Sequence, residues 1–164
     1  MNKTPVRFTL NARPVEVTVE PRIHLIDCLR EAFDVSSARV GCEHGVCGAC
    51  TLRIDGKLVR GCLTLAVQVE GQVVETLERL NETGEINDLK QAFHDRNAVQ
   101  CGFCTAGMLI TGQNYLMQAQ GYSRSQIREH IAANYCRCTG YEAIVDAIEF
   151  VAKQRGLQSL EENL

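Results

Sequence analysis

The chain opens on a two-residue rhythm. Between Val6 and Val19 apolar and polar positions alternate, with Val6, Phe8 and Leu10 and then Val15, Val17 and Val19 on one face, and Asn11-Ala12-Arg13-Pro14 between the runs. Alternate residues of a strand share a face, so the pattern predicts a hairpin. The rhythm then changes. Ile23, Leu25, Ile26, Leu29 and Phe33 recur at helical spacing, with Pro21 just ahead and Asp27 and Glu31 on the other face, which predicts one helix packed on the sheet. Alternation returns in Thr51-Leu52-Arg53-Ile54 and Lys57-Leu58-Val59-Arg60, and the Asp55-Gly56 pair between them predicts a second hairpin, because a tight turn needs positive φ. Val73 and Val74, introduced by Gly71, predict a last short strand that closes the sheet.

The polar stretch Leu77 to Asn87 reads as a boundary between two units, residues 1–77 and 85–164. Beyond it the helical period takes over. Leu89, Ala92 and Phe93 predict one helix, and Ala106, Leu109, Ile110, Tyr115 and Leu116 a second that ends near Gly121. Ser123-Arg124-Ser125-Gln126 has the form of a capping box for a third helix carrying Ile127 and Ile131. Thr139-Gly140-Tyr141-Glu142 has a similar form ahead of a fourth, which carries Ile144, Val145, Ile148 and Val151. The fold class expected is therefore α+β, a strand-rich first unit followed by a small bundle of four short helices.

Composition narrows the function classes. At 164 residues and 45% apolar content the chain has room for one domain or two small ones. A formal net charge of −3 argues against nucleic acid as a partner. No apolar run approaches the roughly 18 residues that span a bilayer. Met1-Asn2-Lys3-Thr4-Pro5 leads directly into alternating sequence without a secretory leader, so the expected location is cytoplasmic, unless a partner carries the leader.

Cysteine changes the picture most. Eight of the nine fall into two sets, Cys42-x4-Cys47-x2-Cys50-x11-Cys62 and Cys101-x2-Cys104-x31-Cys136-x-Cys138. The first has the spacing of a plant-type [2Fe–2S] loop, three close thiolates and a distant fourth. Gly41, Gly45 and Gly48 lie among these ligands, where the backbone must curl tightly and bring amides to sulfide. The second set must converge from two separated segments, each next to the start of a helix, where an anionic cluster is favoured. Zinc also takes four thiolates and stays open as an alternative, more so for the second set. A disulfide framework fits poorly with an odd cysteine count and no leader. Two clusters of about −2 each would bring the net charge to about −7.

The remaining candidates have ordinary readings. Cys28, beside Leu25 and Leu29, reads as a buried structural thiol. His24, His44, His94 and His130 lack metal-ligand spacing, although His44 lies inside the first cysteine loop and could make its potential pH-dependent. Arg137, between two cysteines, could stabilise added negative charge.

The strings Gly-Cys-Glu-His-Gly-Val-Cys-Gly-Ala-Cys-Thr (41 to 51), Gln-Cys-Gly-Phe-Cys-Thr (100 to 105) and Asn-Tyr-Cys-Arg-Cys-Thr-Gly-Tyr (134 to 141) together resemble the small iron–sulfur subunit or segment of the molybdenum hydroxylases. That family includes xanthine dehydrogenase, aldehyde oxidoreductase and carbon monoxide dehydrogenase. The resemblance covers nearly the whole chain. It implies a β-grasp ferredoxin domain holding an outer [2Fe–2S] cluster through Cys42, Cys47, Cys50 and Cys62. It further implies a four-helix domain holding an inner one through Cys101, Cys104, Cys136 and Cys138. Gln100 and Cys138 would lie against the pterin of a molybdenum cofactor held by a large molybdopterin-binding subunit. Electrons would then run from molybdenum through the inner and outer clusters to FAD in a medium subunit, or in some members to a cytochrome. Catalytic residues would lie elsewhere, and the implied assembly is a heterotrimer, a unit commonly paired in the family. The rival readings are a stand-alone two-cluster ferredoxin and a zinc-stapled adaptor. One departure is Ala106, where the family more often has proline, and alanine suits a first helical turn equally.

Overall fold

In a computed structural model that describes residues 3–160, both expected hairpins form. Strands β1 (Thr4–Leu10) and β2 (Arg13–Val19) pair antiparallel with Val6 opposite Val17 and Phe8 opposite Val15. Their turn is only Asn11-Ala12, both at positive φ (49° and 66°), so Arg13 and Pro14 belong to β2. Proline is tolerated there because β2 is an edge strand. The edge position also leaves Val15 and Val17 only half-buried, while Val6, Phe8 and Leu10 of β1 are buried. Strands β3 (Thr51–Ile54) and β4 (Lys57–Arg60) meet across Asp55-Gly56, again at positive φ.

Between the hairpins, helix α1 (Leu25–Phe33) buries Leu25, Ile26, Cys28 and Leu29 against the sheet, and Phe33 meets the Phe8 ring edge-on at 5.8 Å. The helix begins two residues later than the periodicity suggests. Ile23 and His24 instead pair with residues 64–66, the Leu25 amide donating to the Thr64 carbonyl at 2.7 Å and the Ala66 amide to Ile23 at 2.9 Å.

Strand β5 (Val73–Glu75) joins the sheet as expected, though at neither edge. It lies at the centre of the order β2-β1-β5-β3-β4, parallel to β1 and antiparallel to β3. Three residues carry too little alternation to declare a position, and burial of Val74 comes from neighbours far away in sequence.

The second half is helical: α2 (Leu77–Glu82), α3 (Asn87–Asp95), α4 (Thr105–Gln118), α5 (Arg124–Ile131) and α6 (Glu142–Gln154), with a two-residue parallel pair β6 (Gly121–Tyr122) and β7 (Gln158–Ser159). Helix α2 lies within residues 77–87, the stretch that reads as a polar boundary in the sequence. Leu80 and Ile86 are wholly buried in the helical core with Leu89, Phe93 and Ile148. Two apolar residues among nine mostly polar neighbours carry no period, so the sequence conceals them. Helix α4 is buried from Gly107 to Leu116 because it runs through the middle of this half, and it has no polar face to advertise.

Two apolar cores result, one built from Val6 to Val74 and the other from Leu80 to Ala152. Among the described residues no helix is long and apolar enough to cross a membrane.

Candidate functional site

Loops carry most of the chemistry, and the elements around them fix where the thiols point. The first loop leaves α1, runs through residues 34–50 without helix or strand, and enters β3 directly after Cys50. Its fourth thiol, Cys62, follows β4, and the Gly61 amide donates to the Cys50 carbonyl at 3.1 Å, which brings the hairpin's end to the loop. Cys50 and Cys62 are buried, and Cys42 and Cys47 are partly exposed. The second set joins the loop before α4, where Cys104 is the N-cap residue, to the turn before α6. Cys104 and Cys136 are half-buried, whereas Cys101 and Cys138 are exposed.

Each set converges. Cys62 lies within interaction range of Cys50 and Cys42, and Cys42 of Cys47. Cys104 likewise meets Cys136 and Cys101, and Cys138 meets Cys101 and Cys136. The thiols disturb one another accordingly. Amide hydrogen bonds from Cys47 and His44 lower Cys42 to about 6, while burial and then Cys50 raise Cys62 to about 11. Burial followed by Cys136 raises Cys104 to about 12. Burial acts to raise Cys136 as well, but the Thr139 hydroxyl and amide outweigh it and bring the thiol below its ordinary value. Four thiols this close cannot all ionise unless cationic centres sit among them, which is the condition an iron–sulfur cluster meets. Among the described residues no three His, Cys, Asp or Glu side chains are arranged as around a single metal ion. A binuclear cluster spreads its thiolates over two irons.

The two sets meet at a seam in which one buried side chain uses both ends of its amide. Asn134, 1% exposed, accepts from Thr111 Oγ1 at 2.9 Å, and its Nδ2 donates to the Gly48 carbonyl at 2.9 Å and to Thr51 Oγ1 at 3.3 Å. The next amide, that of Tyr135, donates to the Cys47 carbonyl at 2.8 Å. Arg60 reaches the Ala133 carbonyl at 2.5 Å and also bonds Thr51 Oγ1. Glycine is required on both sides. A Cβ on Gly107 of α4 would lie 2.3 Å from the Gly48 oxygen, and one on Gly48, at φ +71°, would lie 2.6 Å from Asn134 Nδ2. A single hydrogen bond thus joins Cys47 of the first set to the residue before Cys136 of the second.

A second tie lies farther along the same seam. Arg53 of β3, almost fully buried, holds Glu85 with both guanidinium amines at 3.0 Å, and its Nε lies 3.5 Å from Glu75 without hydrogen-bond alignment. Gln113 of α4 donates to Glu85 at 3.2 Å and accepts from Arg155, the C-cap residue that ends α6, at 3.0 Å.

The other candidates fall as follows. Cys28 is buried, and burial raises its thiol. His44 Nδ1 bonds the Cys42 carbonyl, His94 is exposed, and the half-buried His130 ring lies tilted 5.4 Å from that of Tyr115. Gln100 and Arg137 are exposed beside the second set. A groove of about 1090 Å³ between β4 and helices α4 and α5 is lined by residues such as Leu58, Tyr115 and His130 and by no cysteine. Sequence reasoning missed Asn134, Thr139 and Gly107. Gly107 alone left a signal, since a glycine inside a helical pattern points to a close backbone approach. Thr139 reads in the sequence as a cap, but the N-cap of α6 is Tyr141 at φ 69° with no side-chain cap bond.

Such thiols on such a ferredoxin-like fold are those of a [2Fe–2S] protein. The family described as [2Fe-2S] binding domain matches residues 76–149, and the family described as 2Fe-2S iron-sulfur cluster binding domain matches residues 9–99. The chain is 43% identical to the gamma subunit of caffeine dehydrogenase from Pseudomonas sp. (strain CBB1), over 99% of each chain. It is 41% identical to the small subunit of nicotine 6-hydroxylase from Paenarthrobacter nicotinovorans, over 90% of this chain and 88% of that one. The crystal structure of quinoline 2-oxidoreductase from Pseudomonas putida 86 superposes with a TM-score of 0.87 at 46% identity, covering 96% of this chain and 99% of that one. The chain belongs to the family of small iron–sulfur subunits of molybdenum hydroxylase complexes. Its work is electron transfer within an oxidoreductase complex.

Proposed function

We propose that the chain carries two [2Fe–2S] clusters, an outer one on Cys42, Cys47, Cys50 and Cys62 and an inner one on Cys101, Cys104, Cys136 and Cys138, and relays electrons between partner subunits. The observation that carries this is the convergence of the thiols into two fours joined through the Cys47–Tyr135 hydrogen bond. When bound, the clusters supply reversible one-electron transfer. The chain's own residues hold the loops, shield Cys50 and Cys62 from water, and keep the sets in register through Asn134 and Arg60. In this reading residues 1–77 and 85–164 are the two cluster-binding units, the second being a four-helix arrangement of α3 to α6 with α2 packed onto it.

The inner set opens on the surface beside Gln100 and two exposed apolar residues, Val99 and Phe103, the latter 48% exposed. A large subunit would cover this face, with Gln100 and Cys138 toward its molybdopterin. Leu63, 61% exposed, and Val46 flank the outer set and suit a second partner, an FAD-binding subunit. A heterotrimer, paired or single, and a cytoplasmic location complete the reading. Caffeine, nicotine and quinoline, the compounds in the names of the three compared proteins, are nitrogen heterocycles, and we extend that substrate class to the complex served here. These apolar faces favour a subunit over the stand-alone two-cluster ferredoxin, whose cluster surroundings would be polar throughout.

The test is low-temperature EPR of the dithionite-reduced complex with iron and molybdenum analysis. Two distinguishable [2Fe–2S] signals with co-purifying molybdenum are expected; Cys47→Ser should weaken or remove one and Cys136→Ser the other. Loss of both signals in either variant, with the fold intact, would overturn the two-site assignment. Two signals without molybdenum would favour the free ferredoxin.

A further inference from the structure

In the turn between Cys136 and α6, one hydroxyl is engaged on both sides. Thr139 Oγ1 accepts from the Tyr141 amide at 3.2 Å and lies 3.1 Å from Cys136 Sγ. A threonine hydroxyl has one proton to give, and the Tyr141 amide, itself a donor, cannot take it. The proton is therefore directed at the sulfur. The Thr139 amide approaches the same sulfur at 3.4 Å, and the Cys136 amide donates to Tyr141 Oη at 2.8 Å. The turn closes on itself: Cys136 amide to Tyr141 hydroxyl, Tyr141 amide to Thr139 hydroxyl, Thr139 hydroxyl to Cys136 sulfur.

The outer set is built differently. Main-chain amides face Cys42 Sγ, that of Cys47 at 3.4 Å among them. The nearby hydroxyls of Thr51 and Thr64 are turned to the carbonyls of Gly48 and Arg60. A hydrogen bond to a ligand thiolate becomes stronger as an added electron makes the sulfur more negative, so it favours the reduced form.

We propose that the Thr139 hydroxyl tunes the inner cluster alone, raising its reduction potential through the hydrogen bond to Cys136, and so sets the potential difference between the two clusters. This rests on the assignment of one [2Fe–2S] cluster to each set. Thr139 acts on electron transfer through the ligand, as a positioning and tuning residue.

The experiment is an EPR-monitored redox titration of the intact complex carrying Thr139→Val or Thr139→Ser, the inner signal being the one removed by Cys136→Ser. In Thr139→Val the inner midpoint should shift negative while the outer midpoint stays in place, and Thr139→Ser should return it toward the unmodified value. An unmoved inner midpoint with both signals present overturns the proposal. Equal movement of both midpoints also overturns it, because that is the mark of a loosened fold. Should Thr139→Val fail to hold the inner signal, Thr139→Ala reads the same shift. If neither holds it while Thr139→Ser does, the hydroxyl is needed for retention and the tuning role falls. A single signal in the unmodified complex is a separate failure, that of the two-cluster assignment itself.

Discussion

Gly107 and Glu85 show how much of the seam depends on single residues. Replacing an interior helical glycine by alanine ordinarily gains about 1 kcal/mol. At Gly107 the added methyl would meet the Gly48 carbonyl at 2.3 Å, backbone that cannot swing aside, and such overpacking costs about 1–3 kcal/mol. Gly107→Ala is therefore expected to destabilise, with a lower urea midpoint; a raised midpoint would show that the seam yields. Glu85 makes a pH-dependent contribution. Burial acts to raise its pKa, but the Arg53 hydrogen bond and charge, with Gln113 and Arg155, outweigh it and hold the carboxyl below its ordinary 4.5. A depressed folded pKa stabilises the protein above the unfolded value and loses that contribution as pH falls from 4.5 through the lowered folded value. The stability gap between the unmodified chain and Glu85→Gln should shrink over that acid range, as urea midpoints at successive pH values would report. A gap independent of pH would remove Glu85 from the account.

At the scale of elements, Ser123 is the clearest local determinant in the helical half. Its hydroxyl accepts the Gln126 amide at 3.1 Å, so Ser123→Ala should cost about 1 kcal/mol, read as a lower thermal midpoint. An unchanged midpoint would mean that packing of Ile127 and Ile131 alone decides α5. The same elements show what the sequence could disclose. The hairpins and helices α1, α3, α5 and α6 were legible because each announces itself by a local period or a turn pair, such as Asp55-Gly56, and α4 from its apolar residues alone. Helix α2 and the central place of β5 were not, because Leu80, Ile86 and Val74 are buried by partners distant in sequence. The cysteine sets were legible from spacing. Asn134 and Thr139 were not, since an asparagine or threonine beside a ligand has many local uses and only the fold selects one.

For the molecule as a whole, three stretches that bear thiols, 34–50, 96–104 and 132–141, lack helix and strand. Metal is expected to hold them, because ligand binding free energy is also folding free energy. Iron chelation should lower the thermal midpoint and speed amide hydrogen exchange in 41–50 and 133–141 while the β1–β2 hairpin keeps its protection. Uniform loss of protection would instead mean that the two cores do not stand without iron. Between those cores, Gly48, Gly107 and Asn134 meet with no room for one more carbon. Three positions far apart in the chain thereby constrain one another's size. A chimera that takes each half from a different relative is expected to assemble only where that triad is kept.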